Sequence, residues 1–256
     1  TKRKSNLTLH LLKFIEMPSA KLFTRHLGVS CAMQYWFHIY WNTMILHLPD
    51  APFQNARPQS EDEATGILSQ YVPTLDTSST ERPLVCFTST SWTEDERFDL
   101  LWYALELFDK RFSDYNIHMY VIITGRGPLR AMYERKVDFE PFSHIQVVML
   151  WLDHLEYRKL IGCVDVGISL HDSTSGLDLP MKILDMLGAG IPVIAKNYAC
   201  ISELVNPSNG LLFDQAEEVF HILYTTPSKK GKNMKWGMAT RNTCIDVWHE
   251  KCTHLI

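Results

Sequence analysis

The chain has 256 residues, 46% of them hydrophobic and 21% charged, with 25 Lys and Arg against 29 Asp and Glu for a formal net charge of -4. Such a composition belongs to a folded globular protein able to bury a real core, as one large domain or two small ones. A slightly acidic chain with eleven scattered histidines carries no basic field, so a nucleic-acid partner is not expected.

The six cysteines, at 31, 86, 163, 200, 244 and 252, form no C-x-x-C pair, and several lie in apolar segments. They read as free thiols of a reducing compartment, with no metal site. Asn6-Leu7-Thr8 matches a glycosylation sequon, but one tripeptide is a weak signal. No run of eighteen apolar residues occurs, so no transmembrane segment is expected. Thr1 in place of a methionine leaves open that the sequence is a segment of something longer.

Residues 1 to 50 open with a helix-like stretch and then crowd Tyr35, Trp36, Phe37, Tyr40 and Trp41 into "CAMQYWFHIYWNTMILHLPD". A packed core or subdomain contact explains such a belt more often than a membrane interface does. Residues 51 to 81 are polar and acidic, punctuated by Pro52, Pro58, Gly66 and Pro73, and read as a linker or long loop.

From Arg82 onward, short β-branched runs ("PLVCFT", "HMYVIIT", "IQVVML", "VDVGISL", "IPVIA", "GLLF") alternate with helical stretches at 93–112, 128–136, 153–162, 180–187 and 215–224. Near-continuously apolar strands separated by helices predict a doubly wound, Rossmann-like α/β domain with a parallel sheet, spanning 82–226. Thr93 and Glu96 have the spacing of a capping box, and Pro128 and Pro180 stand at expected first helical positions. Phe98, Leu101, Leu105 and Phe108 give the first of these helices one apolar face. The tail, 227–256, has a basic start and at most a short helix.

In an open parallel sheet, ligands bind beyond the carboxyl ends of the strands. Two loops there carry suitable chemistry. In "ITGRGPLR", Gly125 and Gly127 would let a backbone approach a ligand, and Arg126 or Arg130 could complete an anion site; an ordinary strand-to-helix turn needs the same glycines. In "LHDSTSGLDLP", His171, Ser173, Thr174, Ser175 and Gly176 precede a helix whose free N–H groups would favour a diphosphate. Asp185, one turn into that helix, would repel phosphate and reads instead as an acceptor for sugar hydroxyls. Lys182 either meets the phosphates or forms an i,i+3 pair with Asp185. Asp178 is open between a helix-entry cap and a sugar contact, and His171 between a donor contact and a solvent-facing position. The stretch 88–96 could line the same crevice, which would put Trp92 near it.

"TSTSWTEDERFDLLWYALELF", "VIITGRGPLR", "HIQVVMLWL", "VGISLHDSTSGLDLPMKILDMLGAGIPV" and "CISELVNPSNGLLF" resemble, in order over residues 80 to 225, the donor half of the chitobiosyldiphosphodolichol beta-mannosyltransferase family. A fainter likeness relates residues 5 to 55 to the end of that family's acceptor half. The resemblance implies a two-domain glycosyltransferase, with 1–50 a partial acceptor domain and 82–226 the donor domain holding GDP-mannose. It implies a β-1,4 transfer, with inversion, to N,N′-diacetylchitobiosyl diphosphodolichol at the cytosolic face of the endoplasmic reticulum membrane. Other glycosyltransferases of the pathway are then expected partners, with no cofactor beyond the donor and no metal. By the same resemblance Asp185 contacts the nucleotide ribose, Gly125 and Gly127 border the nucleotide, and the 173–176 loop meets diphosphate or mannose. Arg126 and Lys182 are the candidate cations. Inversion needs a base, expected from the acceptor side, so no catalytic base is assigned. The membrane anchor and complete acceptor domain of the family have no counterpart here. A protein that keeps nucleotide binding without transfer is the alternative, and a sugar-nucleotide epimerase of the same architecture a more remote one.

Overall fold

The computed structural model describes residues 18–19, 22, 26–42, 45–47, 58, 60–75, 83–113 and 116–225. The Asn6 sequon, Cys244, Cys252 and the 227–256 tail lie outside these. The chain divides into two compact units, Thr1–Pro49 and Asp50–Ile256.

Among the described residues of the first unit, β1 (His26–Gly28) and β2 (Ile45–His47) pair in parallel through α1 (Cys31–Trp41). Ser30 starts α1, its Oγ accepting from the Met33 N–H at 2.9 Å, and Asn42 ends it in the left-handed conformation at φ 49°. The aromatic belt pairs largely along the helix, Phe37 with Trp41 at 4.3 Å and Trp36 with Tyr40 at 5.0 Å. No residue of α1 is buried, so of the packed core or subdomain contact expected there the described residues show no packed core.

Within the expected linker, residues 61–71 form α2 (Glu61–Tyr71), capped by Ser60, whose Oγ accepts from the Glu63 N–H at 3.1 Å. The acids Glu61, Asp62 and Glu63 suit the positive end of the helix dipole, and Ala64 and Leu68, four apart, are buried. Val72 and Leu75 continue into the same core, where the Tyr120 hydroxyl donates to the Thr74 carbonyl at 2.9 Å. Polarity of composition hid a short amphipathic pattern.

Six strands follow, β3 (Leu84–Ser89), β4 (Met119–Thr124), β5 (Ile145–Leu150), β6 (Val166–Ser169), β7 (Val193–Lys196) and β8 (Gly210–Phe213). They form one all-parallel sheet in the order β5-β4-β3-β6-β7-β8. Between them run α3 (Phe98–Asp109), α4 (Arg130–Phe139), α5 (His154–Ile161) and α6 (Met181–Gly188), and α7 (Ala216–Thr225) follows β8. Side chains alternate across the sheet: Val85, Phe87, Tyr120 and Ile122 pack with α2, α5 and α6, while Leu84, Cys86, Met119 and Val121 pack with α3 and α7. The doubly wound architecture is therefore the one the hydrophobic runs predict. Its strand order reverses between β3 and β6, where the two crossovers part and leave a crevice. Among the described residues no helix is long and apolar enough to cross a membrane.

The helix starts differ from the expected ones. Helix α3 begins at Phe98, five residues after Thr93, and Arg97 at its N-cap makes no side-chain cap bond. Thr93 and Glu96 make a turn, the Thr93 carbonyl accepting from the Glu96 N–H at 3.1 Å, rather than a capping box. The capping box sits at α5: Asp153 Oδ1 accepts from Leu155 and Glu156 N–H at 2.8 Å, and Glu156 reaches back to the Asp153 N–H at 3.3 Å. Pro180 is the N-cap of α6, one residue before the helix, and Pro128 lies in the turn before α4.

Candidate functional site

A cleft of about 280 Å³ opens at the carboxyl ends of β3, β4 and β5. Ser89 and Thr90 line it at the end of β3, Thr124 and Gly125 at the end of β4, Trp151 and Asp153 after β5, with His154 and Tyr157 from α5 and Asp185 from α6. The loops converge because the glycines let them. Gly125 has φ 132°, and a side chain there would overlap the Thr90 carbonyl; one on Gly127 would overlap that of Ser91. Both glycines thus serve contact between two loops, and of the pair Gly125 lines the cleft. Arg130 Nη1 donates to the Gly125 carbonyl at 2.9 Å while its Nε pairs with Glu134 at 2.7 Å, which makes Arg130 a brace for the loop. Arg126 is exposed and stacks its guanidinium 4.0 Å from the ring centre of Trp151, itself 55% exposed.

Asp185 is the carboxylate on the α6 side of the cleft. The Tyr157 hydroxyl donates to its Oδ2 at 3.1 Å. Burial pushes the Asp185 carboxyl up to about 6, against the Tyr157 hydrogen bond and the charges of His154 and Arg158, which favour the ionised form. Burial likewise pushes the Tyr157 phenol well up, so it stays a proton donor at any working pH.

The hydroxyl-rich loop after β6 forms a second cluster, on Asp178. His171 Nε2 lies 2.9 Å from Asp178 Oδ2, and Ser173 and Ser175 donate to Oδ1, Ser175 at 2.9 Å. Burial works to raise the Asp178 pKa, but the hydrogen bonds from Ser173, His171 and Ser175 outweigh it and hold it below the ordinary carboxylate value. His171 also stands 3.5 Å from Asp95, whose carboxyl is lowered chiefly by a hydrogen bond from Thr93. Gly176 turns the loop at φ 68°, its N–H donating to Ser173 Oγ at 2.9 Å, and Thr174 faces solvent. His171 is thereby a member of the cluster, and Asp178 is its organising acceptor.

Lys182 pairs with Glu96, neither with Asp185 nor with open solvent. Glu96 is only 4% exposed, its second carboxylate oxygen has no hydrogen-bond partner among the described residues, and its backbone bridges that of His171. This contact explains the lost capping box: the side chain expected to fold back on its own helix start instead spans the crevice to α6. Trp92 also departs from expectation. It is 1% exposed, stacks on Phe98 at 4.6 Å and does not line the cleft. Sequence reasoning passed over Trp151, Asp153, His154 and Tyr157, although they follow a strand end and the rule that singled out the other two loops covers them.

A parallel sheet wound in this order, with a cleft at the carboxyl ends of its strands, defines a doubly wound, Rossmann-like α/β domain. The chain belongs to the glycosyl transferases group 1 family, whose model matches residues 82–223. It is 48% identical over 177 residues to human "Chitobiosyldiphosphodolichol beta-mannosyltransferase", covering 66% of this chain and 38% of that protein. It is 32% identical over 263 residues to "UDP-glycosyltransferase TURAN" of Arabidopsis thaliana, covering 84% and 57%. The fold is shared with Anabaena HepE, solved in complex with UDP, at a TM-score of 0.64 and 15% identity, covering 91% of this chain and 63% of that one. The chain thus spans about half the length of the curated relatives it matches.

Proposed function

We propose that residues 82–226 are the donor half of a β-mannosyltransferase that takes GDP-mannose and delivers mannose, with inversion, to a dolichol-linked chitobiose acceptor. The observation that carries this reading is the cleft at the carboxyl ends of β3, β4 and β5 with the half-buried carboxylate of Asp185 in its wall. A carboxylate there accepts from the ribose hydroxyls, Gly125 lets the loops after β3 and β4 close up to form the wall of the cleft, and Trp151 offers an aromatic face. The diphosphate would run toward the Asp178 cluster, where Gly176 and the serines present small polar groups. Because Lys182 is already neutralised by Glu96, Arg126 is the better cation for the leaving diphosphate. The base that deprotonates the acceptor hydroxyl would come from an acceptor domain. The site of action would be the cytosolic face of the endoplasmic reticulum membrane.

The name of the Arabidopsis relative motivates UDP as the competing donor nucleotide. Titration of the chain with GDP and with UDP, followed by tryptophan emission, separates the two. Saturable binding that favours GDP supports the mannosyl reading; preference for UDP replaces it with a UDP-sugar transferase. A transfer assay with GDP-mannose and a lipid-linked chitobiose, with an acceptor half supplied, then tests activity, and nucleotide binding without product under those conditions identifies a binding-only protein.

A further inference from the structure

We infer that Tyr157 is a positioning residue that fixes the Asp185 carboxylate for the ribose of the bound nucleotide, through a hydrogen-bonded chain running from Ser89 to Tyr157 to Asp185. The inference rests on the proposed reading of Asp185 as the ribose contact. All three side chains line the same cleft, and each comes from a different element: Ser89 ends β3, Tyr157 lies in α5 and Asp185 in α6. The phenol donates to Oδ2 at 3.1 Å and is itself hydrogen-bonded to Ser89. With Oδ2 engaged, Oδ1 is left to accept from a sugar hydroxyl, and the carboxylate plane cannot turn without breaking the chain. The ring is locked as well, packing 5.7 Å from Phe87 in the core. A residue held for packing alone would not need its hydroxyl in the cleft.

The charged and titratable groups facing Asp185 are His154, Arg158 and Tyr157 on α5, and all three favour its ionised form. Lys182, on α6 itself, is held by Glu96. Nucleotide binding should therefore weaken as acid protonates Asp185, and removing the Tyr157 hydroxyl should move that loss to higher pH.

The test compares GDP, 2′-deoxy-GDP and 3′-deoxy-GDP binding to the full chain from pH 5 to 8, in wild type, Tyr157→Phe, Ser89→Ala and Asp185→Asn. Wild type is expected to prefer GDP over at least one deoxy analogue by about tenfold or more, as a hydrogen bond to a charged group requires. In Tyr157→Phe the preference should drop to about threefold or less and the acid midpoint should rise; Ser89→Ala should move both in the same direction by less. A folded Tyr157→Phe protein with wild-type preference and midpoint, beside an Asp185→Asn protein that has lost the preference, overturns the inference and leaves the ribose reading standing. Unchanged preference in Asp185→Asn, or no GDP binding by wild type, overturns both. If Tyr157→Phe does not fold, Ser89→Ala decides, since it breaks the chain and keeps the ring.

Discussion

At the scale of single residues, the cleft is costly to hold open. A raised pKa means that Asp185 is more comfortable protonated in the folded chain than in the unfolded one. Its contribution to stability is therefore fully present below its ordinary value of 3.8 and is lost as pH rises through about 6. The full change would be worth at most about 3 kcal/mol, and water in the cleft reduces it to about 1–2 kcal/mol. Asp185→Asn keeps an acceptor for Tyr157 and removes the charge, so it should raise the melting temperature by about 2–4 °C at pH 7.5 and by nothing at pH 4. Thermal unfolding at the two pH values checks this; equal shifts at both would show that the carboxylate is not strained by burial. Gly125→Ala is expected to act in the opposite direction. It forces a Cβ onto the Thr90 carbonyl at a backbone angle that disfavours L side chains, costing about 2 kcal/mol or more and narrowing the cleft, read as lower stability together with weaker nucleotide binding.

At the scale of elements, the ion pair of Glu96 and Lys182 ties the loop after β3 to the start of α6 across the switch point. Glu96 is buried, so removing its partner leaves a charge with nowhere to go. Lys182→Met and Glu96→Gln should each destabilise, Lys182→Met by about 3–5 kcal/mol, while the double variant should recover most of the loss. A double-mutant cycle in urea measures the coupling, and additive losses would mean that the pair does not bind the two elements together. This contact was not legible in the sequence, because residues 96 and 182 meet only through the sheet order. The local signals pointed elsewhere: Thr93 and Glu96 have capping-box spacing, and Lys182 and Asp185 have ion-pair spacing. In both cases a partner supplied by the tertiary fold displaced the local one. Asp185 was legible as an inward acid, since that depends on its own chain segment, whereas the close approach of Gly125 and Gly127 to Thr90 and Ser91 of the neighbouring loop was not.

At the scale of the whole molecule, the alternation of apolar runs and helices was enough to read the parallel sheet, because strands covered on both faces leave no other pattern. What composition concealed was α2. A segment judged by its acids and prolines reads as linker, yet Ala64, Leu68, Val72 and Leu75 pack against the face of the sheet that carries Phe87 and Tyr120. The burial of these four is worth about 5 kcal/mol before the entropy of ordering the segment is subtracted. The boundary of the folding unit should therefore lie before residue 60, not at the start of β3, although the family match begins at 82. A fragment covering 58–256 is expected to unfold cooperatively and keep nucleotide binding. One covering 83–256 should lose about 2–4 kcal/mol, seen as a lower urea midpoint, and expose the apolar face that α2 covers, seen as binding of a hydrophobic dye. Equal midpoints for the two fragments would make α2 an ornament of the sheet; a lower one for the shorter fragment makes it the first element of the domain built on that sheet.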